Sequence, residues 1–255
     1  MPNWVTNILT INADEKMVEK ILSEIKSEQS EFDFNLIVPQ PAELEGTKAP
    51  TRIISDEEYA EDSSKGITKT MSDELISKYG YDNWYDWRYE NWGTKWNADE
   101  VYICDNEITF NTAWCNPMPL LVALSRKYPD VQFDIKFADE DFGHNTGTYI
   151  LKDGDEIDCY FPEGGSEDAY ELAMEIMGDE NYFTWEILFD ADEEKELDNF
   201  YKTMVKIAYK NDKVIDNDFP KPILNEFLSL ALADEEYKFA DEVKKAIKSK
   251  ESIEN

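Results

Sequence analysis

Histidine appears once and cysteine three times in 255 residues, and glycine only ten times. Cys104, Cys115 and Cys159 are widely spaced and form no CxxC, and with His144 alone they exclude a zinc site of usual spacing. They are read as reduced, mostly buried thiols of a cytoplasmic protein. Gly143–Gly147 and Gly164-Gly165 are too short and too acidic for phosphate loops. No apolar run approaches membrane-spanning length, so neither a span nor a signal peptide is expected. The largest deficit is positive charge. Twenty-five Lys and Arg face 57 Asp and Glu, a formal net charge of −32. That balance sets aside direct binding to nucleic acid or anionic membrane, since both are polyanions. A cationic partner, or metal ions, fits the charge.

What is present suffices to fold. Apolar residues make up 42% and aromatics 13%, enough to bury a core despite the charge. Trp4–Ile11 alternates apolar and polar as a strand does. Asn12 and Glu15 then form a capping box for an amphipathic helix over about 14–28. Phe32–Val38 is predicted as a second strand, stopped by Pro39 and Pro41, which gives a βαβ opening with parallel strands. Residues 42–100 interrupt this pattern with short helices at Asp56–Asp62 and Ser72–Tyr79. A stripe of aromatics follows at 81, 84, 85, 89, 92 and 96; it is a core face before it is a platform for stacking bases.

Val101–Cys104 and Glu107–Trp114 are predicted as β-structure joined across Asp105-Asn106. Asn116 caps a helix starting at Pro117, with Leu120, Leu121 and Leu124 as its buried face. Val131–Phe137 is the next strand. Gly147–Leu151 and Glu156–Phe161 flank the hairpin signal Asp153-Gly154, and Ser166 caps a helix to about Met177. Helices over 192–210, 220–232 and 234–250 complete the chain. Tyr182–Trp185 is expected to dock them on the sheet domain. The fold class is α+β: a ferredoxin-like sandwich with an aromatic-rich insertion and an added β-hairpin, then C-terminal helices. The domains expected are 1–180 and 181–255.

Four blocks carry a family resemblance: Met1-Pro2-Asn3-Trp4-Val5-Thr6-Asn7, Phe32-Asp33-Phe34-Asn35 with Pro39-Gln40-Pro41, Asn91-Trp92-Gly93-Thr94-Lys95-Trp96, and Thr112-Ala113-Trp114-Cys115-Asn116-Pro117. Over about residues 1–165 the chain resembles the YubB-type ferredoxin-like proteins of phages, prophages and conjugative plasmids. The resemblance implies that fold without an iron–sulfur cluster, which these cysteines would not hold. It supplies no catalytic residue and no cofactor. It does imply a mobile-element setting, near genes that help incoming DNA survive. Trp92, Trp96, Phe110 and Trp114 are expected to be the packed framework of this family.

Charge is unevenly placed. Between Asp130 and Glu194 stand 21 acids against Lys136 and Lys152. Asp139-Glu140-Asp141 and Asp153–Asp158 would suit a hard cation, and Asp190–Glu194 starts like a calcium loop. Lys195 and Tyr201 then stand where that loop needs its turn glycine and last glutamate, and no metal site is assigned. The preferred expectation is a non-enzymatic counter-defence protein of the host cytoplasm. An ordered carboxylate array on Asp139, Glu140, Asp141, Asp153, Asp155, Glu156 and Asp158 would imitate DNA phosphates toward a host protein with a basic nucleic-acid-binding surface. The alternative is a ligand-binding or sequestering module built from Trp84, Arg88, Trp92, Lys95 and Trp96. An enzyme would need convergent polar groups that the sequence does not assemble.

Overall fold

The computed structural model describes residues 2–177, 188, 191, 197–211, 216 and 219–253. The chain forms two compact units, Met1–Phe161 and Pro162–Asn255. The expected boundary near residue 180, the Tyr182–Trp185 segment and most of the calcium-like stretch fall outside the described residues.

In the first unit, β1 (Trp4–Asn12) buries Val5, Asn7, Leu9 and Ile11 on one face. α1 (Glu15–Ile25) follows and turns Val18, Ile21 and Ile25 inward. Its cap is Asp14, which accepts from the Met17 amide at 3.0 Å, rather than the expected Asn12. β4 (Asp99–Cys104), β5 (Glu107–Ala113), α5 (Met118–Lys127) and β6 (Gln132–Asp139) complete a β-α-β-β-α-β series. The hairpin β7 (Gly147–Lys152) and β8 (Asp155–Tyr160) extends the sheet to the order β4-β5-β1-β6-β7-β8. β1 is antiparallel to both neighbours, β5 and β6. This is ferredoxin-like connectivity, with one added hairpin. Asp153 and Gly154 both have positive φ, 51° and 82°, as a two-residue hairpin turn requires.

The predicted strand at Phe32–Val38 is not formed, and the parallel βαβ opening goes with it. Asp33 accepts from its neighbour's amide, Asn35 N, at 3.0 Å and caps a short 3₁₀ turn, Phe34–Leu36. That local hydrogen bond competes with a sheet ladder. Phe32 and Phe34 are fully buried all the same, edge-on to Phe110 at 4.9 and 6.2 Å. The strand that completes the first half is β4. The insertion therefore runs from the end of α1 to β4. It holds a two-stranded parallel pair, β2 (Ile53–Ile54) and β3 (Ile67–Thr68), with α2 (Asp56–Glu61), α3 (Lys69–Tyr79) and α4 (Trp84–Trp92).

The second unit contains, among the described residues, α6 (Glu167–Met177), α7 (Asn199–Asn211), α8 (Lys221–Ala233) and α9 (Tyr237–Ile253). Ser166 accepts from the Ala169 amide at 3.2 Å, the cap that its sequence suggests. Phe227 joins α8 to α9, stacked on Phe219 at 5.9 Å and edge-on to Phe239 at 6.2 Å. Among the described residues no helix is long and apolar enough to cross a membrane. The three cysteines are free, but Cys104 and Cys159 are exposed and Cys115 half-buried. They lie on edge strands and at a turn, so the expectation of mostly buried thiols is corrected.

Candidate functional site

The Trp92–Asn97 block is placed by its polar residues. α4 starts at Asn83, whose side chain accepts from the Asp86 amide at 2.9 Å, and ends at Gly93 with φ 82°. A Cβ on Gly93 would stand 2.7 Å from Pro119 Cδ, so only glycine closes this turn. Thr94 is fully buried and donates to the Ala113 carbonyl at 2.8 Å. Asn97 accepts from the Phe34 amide at 2.9 Å and donates to Asp33 at 2.9 Å. Between these two anchors, Lys95 and Trp96 project toward Trp114 at the end of β5.

An open groove of about 780 Å³ results, lined by Trp84, Tyr85, Lys95, Trp96, Trp114 and the 49–51 and 82–86 segments. The Lys95 ammonium lies 3.9 Å from the Trp96 ring centroid and 3.7 Å from that of Trp114. Trp96 also leans on Trp4 at 5.8 Å. Of the five residues expected to form a ligand site, Trp84, Lys95 and Trp96 line the groove. Trp92 does not: it is fully buried and donates from its indole to the Val38 carbonyl at 2.8 Å. Arg88 is half-buried, stacked over Trp84 and Trp92 at 5.0 and 4.8 Å and bonded to Gln40 and to the Lys95 carbonyl. It braces the wall. The expected packed framework also divides, since Trp92 and Phe110 are buried while Trp96 and Trp114 stay 38% and 40% exposed. Trp114 was not among the predicted ligand residues; its place opposite Lys95 depends on the β5 register.

Asp82 is one of the carboxylates that line the groove. Burial raises its pKa, but hydrogen bonds from Ser72 at 2.6 Å, Thr51 at 2.5 Å and Asn83 at 3.2 Å outweigh this and hold it below the ordinary 3.8. A carboxyl depressed in the folded state adds stability above its ordinary pKa and loses it as pH falls through the folded value. Asp82→Asn is therefore expected to flatten the acid limb of the stability profile below pH ~4. Urea midpoints measured from pH 2 to 6 check this; an unchanged acid limb refutes it.

The acidic candidates separate into groups. Asp139 is 5% exposed and accepts from Asn3 at 3.3 Å, Asn145 at 2.8 Å and the Asp141 amide at 2.9 Å. Its lone pairs are taken by the loop it organises, which removes it from any contact surface. Glu140 and Asp141 are exposed, but lie roughly 25 Å along β6 from the hairpin turn. Asp153, Asp155, Glu156 and Asp158 do come together on exposed β8 and its turn. They do not share one face. A bulge between Ile150 and Leu151 sets Glu156 opposite buried Leu151 and Asp158 opposite Ile150.

On that second face the register assembles a row that the sequence reading missed. Glu107 pairs with Thr10, Thr10 with Asp134, Asp134 with Ile150, and Ile150 with Asp158. Strand alternation already marks Glu107 and Asp134 as polar-face residues; only the pairing aligns them. Exposed Cys159 reports the local field. A hydrogen bond to Glu156 raises its pKa, helped by slight desolvation and the charges of Glu156 and Asp158. Glu156→Gln is expected to speed iodoacetamide alkylation of Cys159 severalfold near pH 8. Peptide mass spectrometry follows the rate, and an equal rate in both proteins contradicts the assignment.

Sheet order and connectivity define a ferredoxin-like α+β protein whose insertion carries the aromatic groove. Residues 91–180 match the family model described as the ferredoxin-like domain in Api92-like protein. A crystal structure of the protein api92 from Yersinia pseudotuberculosis is similar at 10% identity and a TM-score of 0.38, over 65% of this chain and all of that one. No curated protein matches the chain.

Proposed function

We propose that this is a YubB-type protein of a phage or conjugative element, acting without catalysis in the host cytoplasm as a counter-defence protein. It would fill the basic, nucleic-acid-binding groove of a host defence protein with its acidic sheet face and edge. The observation that supports this reading is the cross-strand row of Glu107, Asp134 and Asp158 on one sheet face, with Asp155 beside Asp158 on the β8 edge and Asp153 in the adjoining turn. Alternate strands put the members of the row roughly 10 Å apart. The three carboxylates of the row span roughly 20 Å, a line of like charge of the kind a DNA strand presents. A fixed sheet holds them with little ordering cost on binding, unlike an acidic tail. The charge of −32 also speeds encounter with a basic partner.

The test is a host-lysate capture with wild-type protein and with the triple variant Glu107→Lys, Asp134→Lys, Asp158→Lys. The wild type is expected to retain a nucleic-acid-binding protein that duplex DNA or about 0.5 M salt displaces. The triple variant should retain it on the order of tenfold less, with an unchanged thermal midpoint. A complex indifferent to DNA and salt, or retained equally by both baits, removes this surface from the account.

A further inference from the structure

We infer that the aromatic groove receives an arginine side chain from a basic polypeptide segment, and that Lys95 is its built-in competitor. This inference is independent of phosphate mimicry. The groove lies near Trp4, while the carboxylate row crosses β1 at Thr10, roughly 20 Å along the strand.

The two exposed indoles are the first ground. The same block buries Trp87 and Trp92, at 6% and 0% exposure, whereas Trp96 and Trp114 remain 38% and 40% exposed. Trp114 is also held at φ 69°, a conformation that bulky side chains rarely adopt. Its amide donates to the Asn3 carbonyl at 2.9 Å and its carbonyl accepts from Asn145 at 3.3 Å. The fold thus maintains an unfavourable backbone to present a ring that it does not bury.

The occupant's charge is the second ground. Lys95 approaches both ring centroids within 4 Å, inside cation–π range, so the chain itself shows that a cation fits there. The groove adds the carboxylates of Asp82 and Asp86. Asp82 is engaged by three side chains; exposed Asp86 accepts from Asn83 at 2.7 Å and keeps acceptor capacity. A guanidinium is planar and weakly hydrated, stacks on indole, and forks to a carboxylate, so it displaces an ammonium on all three counts. The volume of about 780 Å³ exceeds one side chain and accommodates its flanking residues. A net charge of −32 favours a basic segment and repels small anions.

Calorimetry and indole NMR with the full chain test this, using capped Ala-Arg-Ala and its citrulline counterpart. The arginine peptide should bind, and the citrulline peptide on the order of tenfold more weakly. Lys95→Met should tighten arginine binding by a similar factor, and Trp114→Ala should abolish it with the fold retained. If Trp114→Ala unfolds, Trp96→Leu serves in its place. Equal binding of both peptides, or no binding by wild type and Lys95→Met at millimolar peptide, overturns the inference. So does adenosine monophosphate binding that Lys95→Met abolishes, which would make the groove an anion site.

Discussion

Trp92→Ala is expected to destabilise the first unit by about 3–5 kcal/mol, the range for truncating a fully buried aromatic. Trp92 is completely buried and meets Phe34 at 5.7 Å and Trp87 at 5.9 Å, both edge-on. Its indole N–H also satisfies the Val38 carbonyl at 2.8 Å. Truncation opens a cavity where the insertion meets the ferredoxin-like core and leaves that carbonyl without its donor. Trp92→Phe keeps most of the ring volume and should cost about 1–2 kcal/mol, mainly the lost hydrogen bond. Urea denaturation followed by indole fluorescence is the measurement, since six of the seven tryptophans lie in the first unit. Alanine and phenylalanine variants of equal stability would show that the cavity does not matter. A loss under 1 kcal/mol would show that Trp92 is not part of this core.

Asn7→Leu is expected to cost about 2–3 kcal/mol although leucine has a similar volume. Asn7 is fully buried in the middle of β1, where alternation calls for an apolar residue. Its amide donates to the Val5 carbonyl at 2.8 Å, the Phe110 carbonyl at 3.2 Å and the Thr112 hydroxyl at 2.8 Å. Its carbonyl accepts from Asn116 at 2.8 Å, and Asn116 accepts from the Tyr149 hydroxyl. Burial pushes the Tyr149 pKa well up, so the phenol remains a donor. Leucine would leave the half-buried Asn116 amide and the buried Thr112 hydroxyl without this partner. The double variant Asn7→Leu, Asn116→Leu should recover more than 0.5 kcal/mol relative to additivity. Strict additivity would mean that the two amides do not depend on each other. The network also explains why Asn116 does not cap α5: its side chain is committed across the sheet, and Pro117 opens the helix without a side-chain cap.

Local signals carried far in this chain. Asp153-Gly154, Ser166, Tyr128-Pro129 and the alternation over 131–137 each specify their element through short-range chemistry, and each element forms. Phe32–Val38 misled because Phe32 and Phe34 carry the apolar spacing of a strand, while the Asp33 cap, a hydrogen bond within three residues, bends the backbone away. Exposed cysteines escaped notice for a related reason: Cys104 and Cys159 sit on the sheet's two edge strands, and a residue's type does not reveal that its strand is an edge.

The sequence alone determined the charge, the strand and helix periods, and the ferredoxin-like class, because composition and local periodicity are written in consecutive residues. Tertiary structure alone decided which aromatics are core and which are wall. Trp92 and Trp96 stand four apart, yet the Gly93 turn sends one inward and leaves the other exposed beside Trp114. It also decided which carboxylates act together. Asp139 is taken up by its own loop, while Glu107, Asp134 and Asp158, 51 positions apart from first to last, are aligned by strand register. Register is a long-range property, set by which strands pair across the sheet, and no window of neighbouring residues contains it.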